Sequence, residues 1–162
     1  MSRLDSAIRR LTSQKIALEW AARKVARLDG IILELGLGNG RTYDHLRSIL
    51  PNRDIYVFER EIAAHPDCIP EENFQFLGDF RDSLPLANKR LGASSILAHL
   101  DIGTGERTTS QKLAEQIGPM VLGLMKRKSI IISDQELVAW SHMRINPPLN
   151  IPEGRIYIYN FV

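Results

Sequence analysis

Five short apolar runs separated by segments of helical spacing constrain this chain more than any other feature. They read IILEL (residues 31–35), DIYVFE (54–59), FQFLGD (74–79), SSILAHLD (94–101) and SIIISD (129–134). Strands that are apolar on both faces need cover on both faces, and intervening helices provide it. The expected fold is therefore α/β, a doubly wound, mostly parallel Rossmann-like sheet. The intervening segments are RTYDHLRSIL, a helix around residues 84–91, and TSQKLAEQIGPMVLGLMKRK, whose terminal KRK is expected to close that helix where cations suit the macrodipole. A last alternating run, GRIYIYNFV, should be an edge or antiparallel strand. Ahead of the first run, Leu4, Ala7, Ile8, Leu11, Leu18, Ala21, Ala22, Val25 and Leu28 recur at helical spacing. Ser2 and Asp5 resemble a capping box, Thr12-Ser13 could start a second helix, and Asp29-Gly30 should end the segment. With 162 residues, 44% of them hydrophobic, the chain suits one domain over 1–162, an N-terminal helical extension (1–30) on an α/β core (31–162).

In such a sheet the ligand crevice lies at the carboxyl ends of the strands, and the loop after the first strand usually lines it. Here that loop is Glu34-Leu35-Gly36-Leu37-Gly38-Asn39-Gly40-Arg41-Thr42, directly before a helix. Its small residues let a ligand approach the backbone, and a helix N-terminus faces the crevice. The dinucleotide fingerprint G-x-G-x-x-G would place its third glycine at position 41, which is Arg41. That disfavours an NAD(P)-dependent oxidoreductase. The pattern present is E-x-G-x-G-x-G.

This pattern resembles motif I of the class I S-adenosylmethionine (SAM) dependent methyltransferases, and later elements match the same family in order over residues 31–134. The resemblance implies SAM as methyl donor and S-adenosylhomocysteine as product, with Glu34, Gly36, Leu37, Gly38, Asn39, Gly40 and Thr42 around the donor. It implies Glu59, with Arg60 beside it, on the ribose hydroxyls. Gly78, Asp79 and Phe80 fall at the adenine, and Asp101 and Ile102 beside the methionine moiety and its methyl group. The chain also resembles small stand-alone bacterial methyltransferases of unknown substrate. Members of the class often cover the donor with residues before the first strand, so 1–30 are expected to form a lid. A non-catalytic SAM-binding protein is the other alternative.

In-line transfer from a sulfonium depends mainly on alignment, so no fixed catalytic motif is required. The candidates by strand position are Asp101, His99, Glu106 and Asp134. His99 and Asp101 alternate onto one side of a buried strand, where a histidine is more often structural. Catechol-type relatives hold a divalent cation through residues matching Asp101 and Asp134-Gln135. Gln135 departs from their pattern, His45, His65 and His142 lack ligand spacing, and no metal is expected.

The remaining features bound the partners. Residues 1–28 carry seven basic side chains against Asp5 and Glu19, but only one aromatic, Trp20, lies among them, too few for a stacking platform, which argues against nucleic acid. NPPL (146–149) resembles the tetrapeptide that holds a flipped adenine, yet it follows the fifth strand and lacks the stacking aromatic; it reads as a loop. A lone Cys68 and the absence of a spanning segment or secretory signal suggest a cytoplasmic protein with no membrane partner. The acceptor is expected to be a small molecule, and a homo-oligomer stays open.

Overall fold

The computed structural model describes residues 1–148 and 150–162. Helix α1 (Arg3–Val25) begins at the expected capping box: the Asp5 N–H donates to Ser2 Oγ, and the Asp5 carboxylate accepts the Ser2 N–H, each at 3.0 Å. Thr12-Ser13 do not interrupt it, because Ser13 Oγ donates to the Arg9 carbonyl at 2.8 Å within the same helix. There is thus one N-terminal helix, and it ends before Asp29-Gly30.

The chain then alternates through β1 (Ile31–Leu35), α2 (Arg41–Ile49), β2 (Ile55–Glu59), β3 (Gln75–Leu77), α3 (Phe80–Leu91), β4 (Ser95–Leu100), α4 (Arg107–Leu122), β5 (Met125–Ser133), β6 (Arg144–Ile145) and β7 (Tyr157–Phe161). The sheet order is β3-β2-β1-β4-β5-β7-β6, parallel from β3 to β5. The final run is antiparallel, pairing with β5. It is not the edge, because the two-residue β6, which the sequence did not suggest, pairs along its other side. NPPL extends to Leu149, which lies outside the described residues.

Although β1 is apolar throughout, its residues alternate between two cores. Ile32 joins Val57, Leu97 and Ile132 beneath α1 and α2, including Ala17, Leu18, Ala21 and Leu46. Leu33 joins Phe58, Ala98 and Ile131 on the opposite face beneath α3 and α4. Half of α1 is therefore a core helix. Its first turns are different, since Leu4 and Ile8 are 68% and 52% exposed.

One expectation fails here. Lys126, Arg127 and Lys128 do not close a helix; α4 stops at Leu122 and the three cations lie in β5. Ser95 pairs with Met125 but Leu97 with Ile130, so the basic residues form a bulge. It leaves Lys128 at φ +68 and lets Lys126 Nζ donate to the Asp29 carbonyl at 2.6 Å.

Candidate functional site

The strand order reverses between β1 and β4, and the loops leaving these two strands pack hard against each other. A Cβ on Gly36 would lie 2.1 Å from the Asp101 carbonyl oxygen, so no side chain fits there. The sheet ladder continues past the strand ends: the Asp101 N–H donates to the Leu35 carbonyl at 2.9 Å, and the Asp134 N–H to the Leu100 carbonyl at 3.0 Å. Both aspartates are thereby fixed at the strand tips. Gly38, at φ +51, has nothing within 4 Å of the position a Cβ would take. Its glycine leaves backbone facing open space, as a closely approaching ligand requires.

That space is a cavity of about 910 Å³. Gly36, Gly38, Glu59, Arg60, Gly78, Asp79, Phe80, Asp101 and Ile102 line it, as do Glu106, Asp134 and Gln135. A smaller pocket of about 200 Å³ adjoins it beneath α1 and takes in Leu37, Gly38, Asn39, Thr42 and Asp101. Of the residues marked by the sequence, Glu34, Gly40 and His99 line neither. Gly40 packs on Cys68, whose Cβ a side chain would meet at 2.4 Å. Glu34 and His99 form a buried pair under the loop, with His99 Nδ1 2.8 Å from one Glu34 oxygen and the Thr42 hydroxyl donating to the other. This places His99 among structural residues.

The cavity's acids differ in what already engages them. One Glu59 oxygen accepts the Leu37 and Gly38 amides at 2.7 and 3.0 Å, and the other accepts the Arg60 amide at 2.8 Å. Glu59 thus latches the glycine loop to β2. Asp79 caps α3 through the Arg81 amide at 2.8 Å, and that bond, with Arg81 and Arg60 nearby, holds its carboxyl below the usual range. Glu106 caps α4, accepting the Thr108 and Thr109 amides at 2.9 and 2.6 Å. The Thr109 side chain and these amides hold its pKa down at about 2, so it is a poor proton acceptor. Asp134 is pushed up by burial and by Asp101, though its oxygens accept the Ile102 and Gly103 amides at 3.2 and 2.8 Å. Among the described residues no three His, Cys, Asp or Glu side chains cluster as a metal site.

Among the lining residues that the sequence did not mark, two lie on α1 with polar side chains. Arg10 lies 3.7 Å from Asp101. Gln14 is 1% exposed at the floor of the smaller pocket. The signal was present: Gln14 stands three residues after Leu11 and four before Leu18, a polar residue where the apolar stripe should continue.

The sheet order, the glycine loop and the acids at consecutive strand tips define a Rossmann-like fold of the methyltransferase type, with a nucleoside-sized crevice at its switch point. The chain belongs to the S-adenosyl-L-methionine methyltransferase family, whose profile matches residues 1–161. It is similar over its whole length to an S-adenosyl-L-methionine methyl transferase from Silicibacter pomeroyi DSS-3, at 39% identity and a TM-score of 0.94, covering 99% of that chain. A probable spermidine synthase from Corynebacterium glutamicum ATCC 13032 shares the fold at 14% identity and a TM-score of 0.55, over 93% of this chain and 64% of that one. No curated protein matches. The chain is an enzyme that transfers the methyl group of SAM, and the oxidoreductase alternative is not favoured.

Proposed function

We propose that the methyl group goes to a small-molecule acceptor, and that the donor lies along the strand tips with its ribose at Glu59, its adenine at Asp79 and Phe80, and its reacting end at Asp101. The observation that carries this reading is the convergence of those side chains, from three separate strand ends, on one cavity around the bare backbone of Gly38. The residues fit the donor: an acid for hydroxyls, an aromatic face for a base, and a glycine where a chain must pass. When bound, the sulfonium supplies an activated methyl group and a neutral leaving group.

The protein's contribution is alignment and exclusion of water. Glu59 accepts hydrogen bonds from the ribose hydroxyls while keeping the glycine loop in place. Asp134 holds the Ile102 and Gly103 amides and so shapes the loop beside the acceptor. Glu106 is spent on its helix cap and His99 is sealed beneath the loop, which leaves Asp101 and Asp134 as the acids at the reacting end. Asp134, with its raised proton affinity, is the better placed to receive a proton from an acceptor that must lose one.

The lid expected over 1–30 narrows to the exposed turns before Ser13, because residues 13–25 belong to the core. Lone Cys68 supports a cytoplasmic setting, and no helix among the described residues is long and apolar enough to cross a membrane. Calorimetry with SAM and NAD tests the donor assignment. SAM should bind the parent and fail on Gly38→Asn, since asparagine tolerates positive φ but projects into the crevice. Binding of NAD in preference to SAM would sink the assignment, and a failure of every small-molecule pool to release S-adenosylhomocysteine would favour a non-catalytic binder.

A further inference from the structure

The amino ends of the parallel strands, at the opposite end of the sheet from the crevice, gather cations that the reaction does not use. The last turn of α1 and the chain just after it bring Arg23, Lys24 and Arg27; β5 opens with Lys126, Arg127 and Lys128. Hydrogen bonds to the backbone hold the two groups together. Lys126 Nζ donates to the Asp29 carbonyl at 2.6 Å, and Arg53 donates to the Leu28 carbonyl. The strand starts lie level beside them, with the Ile31 N–H on the Ser94 carbonyl at 3.1 Å and the Ser95 N–H on the Leu124 carbonyl at 2.9 Å. The opposing charges at this end are Asp29, which lies 3.5 Å from Arg53, Asp54 and the terminal carboxylate of Val162, next to Phe161 on β7.

Ordinary structural uses account for part of the set. Arg23 and Lys24 suit the C-terminus of α1, and Lys126 is spent on the Asp29 carbonyl. Neither use covers Arg27, Arg127 and Lys128, which are exposed and make no side-chain hydrogen bond or ion pair among the described residues. The bulge that sets the last two beside the end of α1 holds Lys128 at φ +68, an unfavourable backbone for a residue with a side chain. Like charges held together in this way repel, and an anion relieves the repulsion.

The chemistry of the face selects among anions. A single-stranded nucleic acid needs open aromatic faces, and Trp20, the aromatic on α1, already carries Lys24 at 5.5 Å. A membrane needs an apolar anchor besides charge, and Val162 is a small one. A stable protein interface has an apolar centre, where this face offers lysine and arginine. A duplex backbone requires only cations spread over a surface, and the stacking argument against single strands does not apply to it. We propose that the basic face formed by the end of α1 and the bulge of β5 docks the phosphate backbone of a nucleic-acid duplex. The crevice lies at the other end of the sheet, so docking holds the enzyme on the duplex without making the duplex its methyl acceptor.

Fluorescence anisotropy tests this, with labelled DNA and RNA duplexes of about 20 base pairs titrated with the full chain over a range of salt concentrations. The two duplexes distinguish the source of the backbone. The logarithm of the parent's affinity for at least one should fall linearly with the logarithm of salt concentration. The triple variant Arg27→Gln, Arg127→Gln, Lys128→Gly, in which glycine suits the positive φ, should bind about tenfold or more weakly and lose about three units of that slope, near one per cation. A control, Arg3→Gln, Arg9→Gln, Lys112→Gln, removes equal charge from exposed positions elsewhere and should bind as the parent does. Thermal denaturation shows that both variants fold; if the triple variant does not, Arg27→Gln with Arg127→Gln carries the comparison, with a loss of about two units. The proposal is overturned if the parent binds neither duplex, or if the control loses as much affinity as the face variant. It is equally overturned if the single strand, polyglutamate or phosphatidylserine vesicles bind more tightly than either duplex. No part of the assay uses SAM, so its failure leaves the donor assignment standing, and failure of SAM to bind leaves this face standing.

Discussion

Single carboxylates in this protein carry more than one duty, and their neighbours decide which duty a substitution exposes. Glu59 was marked for the ribose by the family resemblance at the end of the second apolar run; its grip on the Leu37 and Gly38 amides depends on loop geometry that no spacing reveals. Glu59→Ala should therefore weaken SAM twice over, by losing charge-assisted bonds of about 1.5 to 3 kcal/mol each and by freeing the loop. Calorimetry that finds parent-like affinity in Glu59→Ala would remove Glu59 from the donor site. The buried Glu34–His99 pair makes a prediction of another kind. Burial opposes charge on the ring, but Glu34 at 2.8 Å, reinforced by Asp101 and Asp134, outweighs it and raises the His99 pKa above the ordinary 6.5. The folded ring holds its proton more tightly than the unfolded one, so the pair's contribution to stability is complete below pH 6.5 and is lost as pH rises through the folded value. The melting temperature of the parent should fall over that upper window, and His99→Leu should flatten the fall. An unchanged slope in His99→Leu would show that the pair is not the titrating unit.

At the scale of elements, hydrophobic periodicity located the five parallel strands but misread the basic segment that opens the fifth. KRK follows a helical stretch, so a macrodipole explanation was available. The bulge between Met125 and Ile130 is what allows three cations to sit in a strand, by turning them away from the ladder. The conformation has a cost at Lys128, which is exposed and held at φ +68. A left-handed conformation costs an L-residue about 1 to 2 kcal/mol, and glycine avoids this while losing more chain entropy on folding. Lys128→Gly should therefore raise stability modestly, by up to about 1 kcal/mol, seen as a higher urea midpoint at unchanged m-value. A lower midpoint would mean that the Lys128 side chain makes a contact worth more than the strain. On α1 the cost runs the other way: Leu18 is fully buried against the sheet, and Leu18→Ala should cost about 2 to 5 kcal/mol.

Across the whole molecule, what the sequence made legible was whatever is fixed by local pattern. The alternation of apolar runs and helices gave the layers, and the E-x-G-x-G-x-G loop located the crevice because Gly36 must clear the Asp101 backbone. Long-range packing was illegible: β6, the Glu34–His99–Thr42 cluster and the floor at Gln14 each depend on which element lies over which. The N-terminal helix shows both sides of this, since its single apolar stripe spans two environments. Ala17, Leu18, Ala21 and Val25 are core, whereas Leu4 and Ile8 are open to solvent in the turns that precede Arg10, which lines the cavity. Removing residues 1–8 should therefore leave the sheet and both cores in place, shifting the melting temperature far less than Leu18→Ala does, because it takes away only exposed turns and their cap. Turnover should suffer instead: if the first two turns help close the crevice over donor and acceptor, kcat/KM for methyl transfer should fall while SAM affinity, which the proposed donor site draws from Gly38 and Glu59, changes little. Steady-state kinetics on the truncated protein beside its thermal denaturation separates the two. Normal turnover with an unchanged melting temperature would show that the exposed Leu4 and Ile8 cover no ligand, leaving their apolar face for another contact, such as a subunit interface.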